Sequence, residues 1–459
     1  MKLPLWRIAE FVGSKGECDQ EAVAMGYSID SRTLNPGDLF IAISGEHFDG
    51  HDYVQAALEK GAVGAIVEAG KQVAGDPLRL LKVDDTLKAL QLLGAAARRL
   101  WGKPLLAVTG SAGKTTTKEI LAHILATRFR VMKSSGNLNN HIGLPLQLLK
   151  LEAEHDFGVV EMGMNHAGEI HALGELAHHD LAVVTTVAPV HLEFFGSLAE
   201  IARAKYEIIE TLPSGGVAVL NADDEYVCQF GRDFKGKVVT FGIKRSADVS
   251  AQKVKLNGAE GSTFELVVGS VGEPVTFPLV GEHNIYNALA AAAAAMERGI
   301  SPSQAAAALS SIAPPDKRGQ VLHLHGATII NDCYNSNPRA LEAMIDTLAS
   351  MKAERRILVV GEMLELGPTA EALHRECGKH AAEKKIDVVI GVRGMARAVA
   401  EAACGSGTQA QFVETPEQAG EWLAHNLRPG DAVLLKASRG VKLERALDML
   451  QDKVSGLSI

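Results

Sequence analysis

The chain has 459 residues, which is more than one hydrophobic core usually supports, so we expect several domains. Hydrophobic residues make up 47% of the sequence and charged residues 22%, as in an ordinary globular protein, and the formal net charge of −9 argues against a general nucleic-acid binder. The sequence has no periodic repeat and no low-complexity segment, which excludes a solenoid and a long disordered tail.

Cysteine spacing and apolar segments indicate the cellular compartment. No two cysteines are spaced like a metal site or a redox CxxC pair, which favours a reducing compartment. The N-terminal segment MKLPLWRIAEFVG is interrupted by Arg7 and Glu10 before a secretion signal could form. The most apolar run, at 288–296, is too short to span a bilayer. We therefore expect a cytoplasmic protein without a membrane span.

Residues 1–100 have the pattern of a small α/β domain. The segments DLFIAI at 38–43 and AVGAIVE at 62–68 are predicted strands, with a helix at about 53–60 between them. A helix rich in alanine, leucine and arginine at 86–100 ends at the segment WGKP. The glycine and proline of that segment mark the predicted end of the domain.

The segment LLAVTGSAGKTTT at 105–117 combines an apolar strand, a loop with little side chain and the start of a helix. Position 108 is valine, so the strict phosphate-loop pattern G-x-x-x-x-G-K-[ST] is not met. The physical parts of a phosphate cradle are nevertheless present, because Gly110 and Gly113 allow a close backbone approach and a predicted helix at 116–125 supplies free N–H groups. The loop therefore indicates a nucleotide, although an ordinary glycine-rich turn is the alternative.

Residues 101–313 are predicted to form the central P-loop domain, with a mostly parallel sheet. Continuous apolar runs, which are typical of strands buried on both faces, alternate with helical segments. These runs lie at 105–108, 157–162, 181–187, 216–222 and 238–241. Residues 248–281 predict an antiparallel patch, and two helices are predicted after it, at 284–298 and 302–311.

A third α/β alternation follows the segment APPDKRGQ, whose prolines and glycine indicate a boundary. Its predicted strands lie in ATIIND, RILVVGEM, DVVIGV and AVLLKAS. Residues 314–459 are therefore predicted to form a Rossmann-like C-terminal domain. The predicted fold class is α/β with three domains, in which the central P-loop domain lies between the small N-terminal α/β domain and this one.

Several polar residues follow predicted strands, at the edge where open α/β sheets bind ligands. Glu161 could coordinate Mg²⁺ beside Thr115, or it could be a solvated residue at a strand end. His191 lies in a predicted turn, where a lone histidine is more often structural. Lys205 lies in a predicted helix, and composition alone favours a solvated surface lysine.

Two segments, GEHNIYN at 281–287 and NDCYNSNP at 331–338, concentrate asparagine. Asparagine supplies both donors and acceptors, which suits an adenine edge or an amide. Asparagine at a helix start is also a common N-cap, so each segment alone is weak evidence. The order of the segments along the chain carries more information than any one of them.

Taken in chain order, the segments resemble the motifs of the ATP-dependent Mur ligases of bacterial peptidoglycan synthesis. The resemblance extends over all three predicted domains. It rests on TGSAGKTTT, NLNNHIGLP, EMGMNHAGEI, HLEFFGS, ARAKYEI, GEHNIYNALAA, NDCYNSNP, VVGEMLELG and LLKASRG. Within the family, HLEFFGS and NDCYNSNP look like the member that adds D-alanyl-D-alanine to UDP-N-acetylmuramoyl-tripeptide.

Alternatives remain open at this point. The segment NPR at 337–339 echoes part of the diamino-acid motif of a near relative, the ligase that adds the third amino acid. Folylpolyglutamate synthase shares the loop and the chemistry but lacks a first domain like residues 1–100. A nucleotide-dependent switch or assembly ATPase would use the loop without a small-molecule acceptor.

The resemblance implies ATP as a substrate and Mg²⁺ as a cofactor. The implied ATP-binding residues are Gly110, Ser111, Ala112, Gly113, Lys114, Thr115, Thr116, Asn284, Asn287, Arg318 and Asp332. The implied ligands of two Mg²⁺ ions are Thr115, Glu161, His191 and Lys205, the last as a carbamate formed with CO₂. The residues implied in catalysis are Lys114, His191, Lys205 and Arg318.

The same resemblance implies small-molecule partners in each domain, no nucleic acid, and a monomeric enzyme. The implied contacts are Ser31 and Arg32 for the uridine diphosphate, Asn139 and Asn140 for the central substrate, and Asn335, Asn337 and Arg439 for the dipeptide. The tripeptide carboxylate would attack the γ-phosphate of ATP and give an acyl phosphate, which the dipeptide amine would then displace. Closure of the C-terminal domain would exclude water.

The chain departs from the family pattern at three positions. Ser336 stands where alanine is usual, Ala437 where glycine is usual, and Ala112 where asparagine or serine is common. None of these departures removes a charged ligand. Ala437 is expected to restrict the backbone if its position requires a positive φ.

Overall fold

The fold is that of a computed structural model, which describes residues 1–45, 48–190, 193–314 and 317–455. Three β-sheets with flanking helices follow one another along the chain, and a two-stranded sheet precedes them. The predicted α/β class with a large, mostly parallel central sheet is confirmed. The boundaries at 100 and 313, and the role of each domain, stay predictions.

The N-terminal region has a four-stranded parallel sheet, in the order β3-β4-β5-β6, and an antiparallel β1-β2 pair. Its elements are β1 Leu3–Pro4, α1 Leu5–Val12, β2 Val23–Ala24, β3 Gly26–Ser28, β4 Asp38–Ile41, α2 Val54–Glu59, β5 Gly64–Glu68, β6 Leu80–Val83 and α3 Thr86–Trp101. The predicted strands and helices of this region are present; α2, β4 and β5 are shorter than predicted, and α3 ends one residue later. The short strands β3 and β6 were not predicted because neither is a long apolar run.

The central region has a nine-stranded sheet, in the order β15-β14-β13-β12-β11-β10-β7-β9-β8. Its elements are β7 Leu105–Thr109, α4 Lys114–Ala126, β8 Val131–Lys133, α5 Gly143–Leu148, β9 Phe157–Glu161, α6 Glu169–Ala177, β10 Leu181–Val184, α7 Leu198–Glu210, β11 Val217–Asn221, β12 Lys237–Gly242, β13 Val249–Leu256, β14 Ser262–Val268, β15 Val271–Phe277, α8 Glu282–Met296 and α9 Pro302–Ser311. The strands from β8 to β13 pair in parallel, and β13, β14 and β15 form the predicted antiparallel patch.

Two apolar cores cover the faces of this sheet. Helices α4, α8 and α9 pack on one face, and α5, α6 and α7 pack on the other. The five residues of β7 are all buried, as expected for a strand between two helical layers. The alanines of α8 are buried as well, and their small side chains let α8 lie close to α4. This packing fixes the loop between β7 and α4.

The C-terminal region has a six-stranded sheet, in the order β16-β17-β21-β18-β19-β20. Its elements are β16 Gln320–Leu324, β17 Ala327–Asp332, α10 Pro338–Ser350, β18 Arg355–Gly361, α11 Ala370–Glu383, β19 Val388–Val392, α12 Ala396–Gly405, β20 Gln409–Val413, α13 Pro416–Asn426, β21 Asp431–Lys436 and α14 Glu444–Ser455. All pairs are parallel except β16 with β17. The edge strands β16 and β20 were not predicted because their half-exposed residues form no continuous apolar run.

The carboxyl ends of the parallel strands determine where polar residues gather. Strand β9 ends at Glu161 in the central sheet, and β17 and β21 end at Asp332 and Lys436 in the C-terminal sheet. These residues line one cavity together with Lys114 at the start of α4. In the described ranges, no helix is long and apolar enough to cross a membrane. All five cysteines are free thiols.

Helix α3 docks the N-terminal region on the central one through a buried arginine. Arg98 is 7% exposed, and its guanidinium donates to the carbonyls of Ala177 at 2.8 Å and His178 at 2.9 Å. The same group contacts the Asp180 carboxylate at 3.1 Å. These carbonyls lie at the C-terminal end of α6, where the helix itself leaves them without a donor. Arg98 therefore satisfies the end of α6.

Replacing Arg98 with alanine is expected to lower thermal stability. Each buried carbonyl left without a donor costs about 1–3 kcal/mol, so we expect the apparent Tm to fall by roughly 4–12 °C in a calorimetric scan. The exposed neighbour Arg99 offers a matched control. Arg99→Ala should leave Tm within about 1 °C of the unsubstituted protein. Equal Tm values for Arg98→Ala and Arg99→Ala would contradict the docking role of Arg98.

Candidate active site

The loop between β7 and α4 packs against side chains that leave no space for a Cβ at its two glycines. Gly110 and Gly113 have φ of +150° and +81°, in the region that favours glycine. A Cβ on Gly110 would overlap the Thr185 hydroxyl, and a Cβ on Gly113 would overlap the Asn287 side chain. Thr185 also donates its hydroxyl to the carbonyl of Ala112 at 2.6 Å. The loop backbone is therefore fixed closely against the end of β10 and against α8.

Lys114 lies at the start of α4, and its Nζ donates to the carbonyl of Gly110 at 2.8 Å. Burial lowers the pKa of the ammonium, while nearby Glu161 opposes that shift and nearby Arg318 adds to it. The helix N-terminus contributes further positive potential at the same place. A lysine so placed can bind an anion that enters the loop.

Lys114 lines a cavity of about 340 Å³ to which both the central and the C-terminal regions contribute. Most of the residues implied by the sequence gather around it. They are Ser111, Ala112, Gly113, Lys114, Thr115, Thr116, Asn139, Glu161, Lys205, Asn284, Asn287, Arg318, Asp332, Asn335 and Asn337. Gly110 lies in the same loop and accepts from Lys114.

Glu161 is a fixed, buried carboxylate and not a solvated residue, so the solvated alternative is wrong. It is 4% exposed, and its two oxygens accept from the Thr115 hydroxyl at 2.6 Å and from Asn139 Nδ2 at 2.7 Å. Its backbone N–H donates to Ser134 Oγ at 3.1 Å. The carboxylate and the hydroxyl thus present hard oxygen atoms side by side, which suits a small divalent cation.

Lys205 is buried in α7, so the expectation of a solvated surface lysine is wrong. Its exposure is 2%, and within the described part of the chain it makes no hydrogen bond or ion pair. Burial lowers the pKa of its amine well below the usual value, and the charge of Lys114 lowers it further. A lowered pKa favours the neutral amine, which is the nucleophilic form.

The asparagines of α8 act inside the helix and not as N-caps, because the N-cap position is Gly281. Asn284 Nδ2 donates to the carbonyl of Val280 at 2.8 Å, and its Oδ1 accepts from Asn287 Nδ2 at 2.9 Å. Asn287 Oδ1 accepts from the Thr117 hydroxyl at 3.2 Å. This buried chain joins α8 to α4. The N-cap alternative is wrong for both asparagines.

The asparagines of NDCYNSNP behave differently. Asn337 is the N-cap of α10, and its Oδ1 accepts from the N–H of Ala340 at 2.9 Å, so the N-cap expectation is confirmed there. Asn335 is exposed and accepts from the N–H of Ser336 at 2.9 Å. Asn335 therefore keeps an amide NH₂ that can meet a ligand in the cavity.

A second cavity of about 390 Å³ adjoins the first, and both share Gly113 and Asn287. It extends past residues that sequence reasoning did not select. Asp223, which follows β11, accepts the Tyr286 hydroxyl at 2.9 Å and three backbone N–H groups. Asp224 accepts the Thr186 hydroxyl at 2.7 Å. The signal that could have found them is an acidic pair directly after a buried strand.

Arg339, the arginine of the NPR segment, reaches from α10 to the edge of the central sheet. Its Nη1 donates to Thr186 Oγ1 at 3.2 Å and to the carbonyl of Val187 at 3.3 Å. It lines the second cavity and is not among the residues around Lys114. Its side chain therefore connects the C-terminal region to the central region. This position gives no support to the alternative in which the NPR segment belongs to a diamino-acid motif.

Some implied residues lie away from the cavity of Lys114, and His191 lies outside the described residues. Ser31 and Arg32 lie in the N-terminal region, where Arg32 pairs with Asp30 at 2.8 Å. Asn140 accepts backbone N–H groups at the start of α5. Arg439 pairs with Glu444 instead of lining the cavity.

The departures at 336 and 437 have different structural consequences. Ala437 is not among the residues with positive φ, so its backbone does not require glycine. Its Cβ lies against Gly361, where a second Cβ would stand 2.6 Å away. Ser336 is buried, and its hydroxyl has no hydrogen-bond partner among the residues that the structure describes. The third departure, Ala112, contributes its carbonyl to Thr185.

Family models match three consecutive parts of the chain. The Mur ligase family catalytic domain matches residues 24–131, the Mur ligase middle domain matches 108–295, and the Mur ligase glutamate ligase domain matches 317–439. Together these matches span the three regions that carry the sheets.

Curated proteins and solved structures agree with the family models. A UDP-N-acetylmuramoyl-tripeptide–D-alanyl-D-alanine ligase of Bacillus subtilis is 36% identical, over 95% of this chain and 95% of its own length. A crystal structure of MurF from Acinetobacter baumannii matches with a TM-score of 0.89 at 29% identity, covering 98% of this chain and 99% of the other. MurF ligase from Thermotoga maritima in complex with ADP matches with a TM-score of 0.84 at 28% identity, covering 95% and 99%.

Gly113→Ala is expected to weaken nucleotide binding more than Gly168→Ala does. Both glycines are helix N-caps with similar φ, +81° and +87°, so alanine strains either backbone alike. The new Cβ would overlap Asn287 at Gly113, whereas no atom of the described residues lies within 4 Å of a Cβ at Gly168. We expect calorimetric ATP affinity to fall roughly 30-fold for Gly113→Ala and less than about threefold for Gly168→Ala. Equal losses would contradict the close packing of the loop.

Proposed function

Because the chain belongs to the Mur ligase family, we propose that it joins D-alanyl-D-alanine to UDP-N-acetylmuramoyl-tripeptide at the expense of ATP. The product is the UDP-pentapeptide precursor of peptidoglycan. The observation that carries the proposal is the single cavity in which Lys114, Glu161 and Asn335 meet. The loop, the carboxylate and the NDCYNSNP segment are the parts needed for phosphoryl transfer followed by acyl transfer to an amine.

The first step forms an acyl phosphate. The terminal carboxylate of the tripeptide attacks the γ-phosphate of ATP, and ADP leaves. Two anions must approach each other in this step, so positive charge at the site is the main requirement. Lys114 and Arg318 line the same cavity and supply that charge from the central and C-terminal regions. The N-terminus of α4 adds its dipole to theirs.

The oxygen atoms around Glu161 suit Mg²⁺. This cation is usually held by one or two protein oxygen ligands together with substrate phosphates. The Glu161 carboxylate and Thr115 hydroxyl lie side by side, and the described residues contain no cluster of three or more His, Cys, Asp or Glu side chains that could hold a metal ion alone. Thr115 and Glu161, joined by His191 and carbamylated Lys205, would hold two ions. Bound there, Mg²⁺ would neutralise phosphate charge.

The environment of Lys205 supports a carbamate. A neutral amine adds to CO₂ and releases a proton, and the pKa of Lys205 is lowered by burial. The product is an anion that relieves the repulsion between this buried group and Lys114. The side chain then becomes a carboxylate-like ligand in the cavity that Glu161 also lines.

The second step transfers the acyl group to the dipeptide. Its amine attacks the acyl carbonyl, a tetrahedral intermediate forms, and phosphate leaves. Asn335, Asn337 and Arg439 are proposed to bind the dipeptide, and Asn139 and Asn140 the tripeptide. Ser31 and Arg32 are proposed to bind the uridine diphosphate in the N-terminal domain. Contact between the central and C-terminal domains excludes the water that would hydrolyse the acyl phosphate.

The proposed setting is a cytoplasmic monomer. Five free thiols support a reducing compartment. The central and C-terminal regions of one chain both line the cavity of Lys114, which is compatible with a monomer. Light scattering coupled to size exclusion tests the monomer, and a dimeric mass would remove that part of the proposal.

The test of the proposed function is phosphate release from ATP and Mg²⁺ with UDP-N-acetylmuramoyl-tripeptide, with D-alanyl-D-alanine added last. We expect release to require both substrates and mass spectrometry to identify a UDP-pentapeptide. Lys114→Ala is expected to lower turnover at least about 100-fold with an unchanged circular dichroism spectrum, because the positive charge that stabilises the γ-phosphate in the transition state is lost. Release without the dipeptide, or none with both substrates, would mean that the acceptor is a different molecule.

Lys205→Ala tests the carbamate. We expect this variant to be inactive and to regain part of its activity when short carboxylic acids are added, because a free carboxylate can occupy the space of the missing ligand. Turnover with and without acetate or formate is the measurement. Lys205→Ala that is fully active without any acid would remove the carbamate from the mechanism.

A further inference from the structure

The guanidinium of Arg318 lies over the ring of Tyr334. Its Cζ is 3.8 Å from the ring centroid, well inside the distance of about 6 Å over which a cation is attracted to an aromatic face. Both residues line the cavity of Lys114. The sequence analysis assigned a role to Arg318 and none to Tyr334, although the tyrosine lies in the middle of the NDCYNSNP segment.

The residues on each side of Arg318 form hydrogen bonds through their backbone atoms with the segment that carries Tyr334. The N–H of Tyr334 donates to the carbonyl of Lys317 at 3.2 Å. The N–H of Gly319 donates to Asp332 Oδ1 at 3.1 Å. These bonds set the base of the Arg318 side chain but leave its long stem free to rotate. The contact with the Tyr334 ring restricts that rotation.

Within the described residues, no carboxylate forms an ion pair with Arg318. A guanidinium carries its N–H donors in its own plane, so an aromatic contact on its face leaves those donors unoccupied. The in-plane donors therefore remain available to an anion in the cavity. Arg318 and Lys114 line the same cavity, so both cations can face one bound anion.

We propose that Tyr334 is a positioning residue, whose aromatic face aligns the Arg318 donors with the phosphoryl group that is transferred beside Lys114. The inference rests on the proposed function. The proposed role requires the aromatic ring of Tyr334 and not its hydroxyl. It therefore differs from a role in which Tyr334 binds a substrate through its oxygen. It also requires that Tyr334 act through Arg318 alone.

Substitutions at 334 distinguish the ring from the hydroxyl. Tyr334→Phe keeps the face and should hold kcat within about twofold of the unsubstituted enzyme, whereas Tyr334→Leu should lower kcat roughly 5- to 30-fold, the range expected from losing a partly buried cation–π contact. The KM for D-alanyl-D-alanine should stay unchanged in both. A loss in Tyr334→Phe equal to that in Tyr334→Leu would overturn the proposal.

A matched control exists in the same domain. Arg397 stacks on Phe412, also with 3.8 Å between Cζ and the ring centroid, and neither residue lines the cavity of Lys114. Phe412→Leu removes an equivalent contact and should leave kcat unchanged. If Phe412→Leu lowers kcat as much as Tyr334→Leu does, the effect comes from loss of domain stability, and the proposal is wrong.

A double-mutant cycle tests whether Tyr334 acts through Arg318. Arg318→Lys keeps a positive charge but lacks the planar fork, so measurable activity is expected to remain. Adding Tyr334→Leu to Arg318→Lys should change kcat by less than about twofold. If Tyr334→Leu lowers kcat by the same factor in the Arg318→Lys background as in the unsubstituted enzyme, the proposal is wrong. Failure of the proposed function is recognised separately, because the unsubstituted enzyme would then show no dipeptide-dependent phosphate release.

Discussion

One charged cavity, lined by Lys114, Lys205 and the buried carboxylate of Glu161, is the constraint on which the rest of the structure depends. Burial lowers the pKa of both lysines, and the charge of Lys114 lowers the pKa of Lys205 further. Burying charges in this way opposes folding unless a partner compensates for the lost water. Glu161 provides part of that compensation, and an anionic ligand would provide the remainder. The site is therefore preorganised for phosphate and pays for it in stability.

Close backbone packing makes this arrangement rigid. The glycine loop is trapped between the end of β10 and helix α8, where side chains would overlap any Cβ at Gly110 or Gly113. The same α8 asparagine that fills the space at Gly113 also bonds to Thr117 in α4. Strand, loop and two helices are thus fixed relative to one another before a ligand arrives, which reduces the reorganisation needed for charge stabilisation.

The segment from β17 to the start of α10 connects this rigid centre to the C-terminal domain. Asp332 pairs with Lys436 and fixes the backbone next to Arg318, and Tyr334 supports the guanidinium itself. A few residues later, Arg339 donates to the edge of the central sheet. One short stretch of chain therefore places a cation in the cavity and holds the two domains together.

Local patterns explain why much of the fold was predictable. Continuous apolar runs gave the buried parallel strands, and the change of pattern after 248 gave the antiparallel patch. The strands that were missed are short, such as β8, or lie at sheet edges, such as β16 and β20. Their residues are only partly buried, so the hydrophobic period that reveals a strand is absent.

By itself, the sequence determined the α/β class, the glycine loop and the set of motifs that identify the family, because each depends on residues close together in the chain. Only the tertiary structure decided the burial of Lys205, the bonds of Asn284 within α8 and the direction of Arg339. Arg339 and Thr186 are 153 positions apart. Burial and side-chain direction depend on such distant contacts, and no local pattern encodes them.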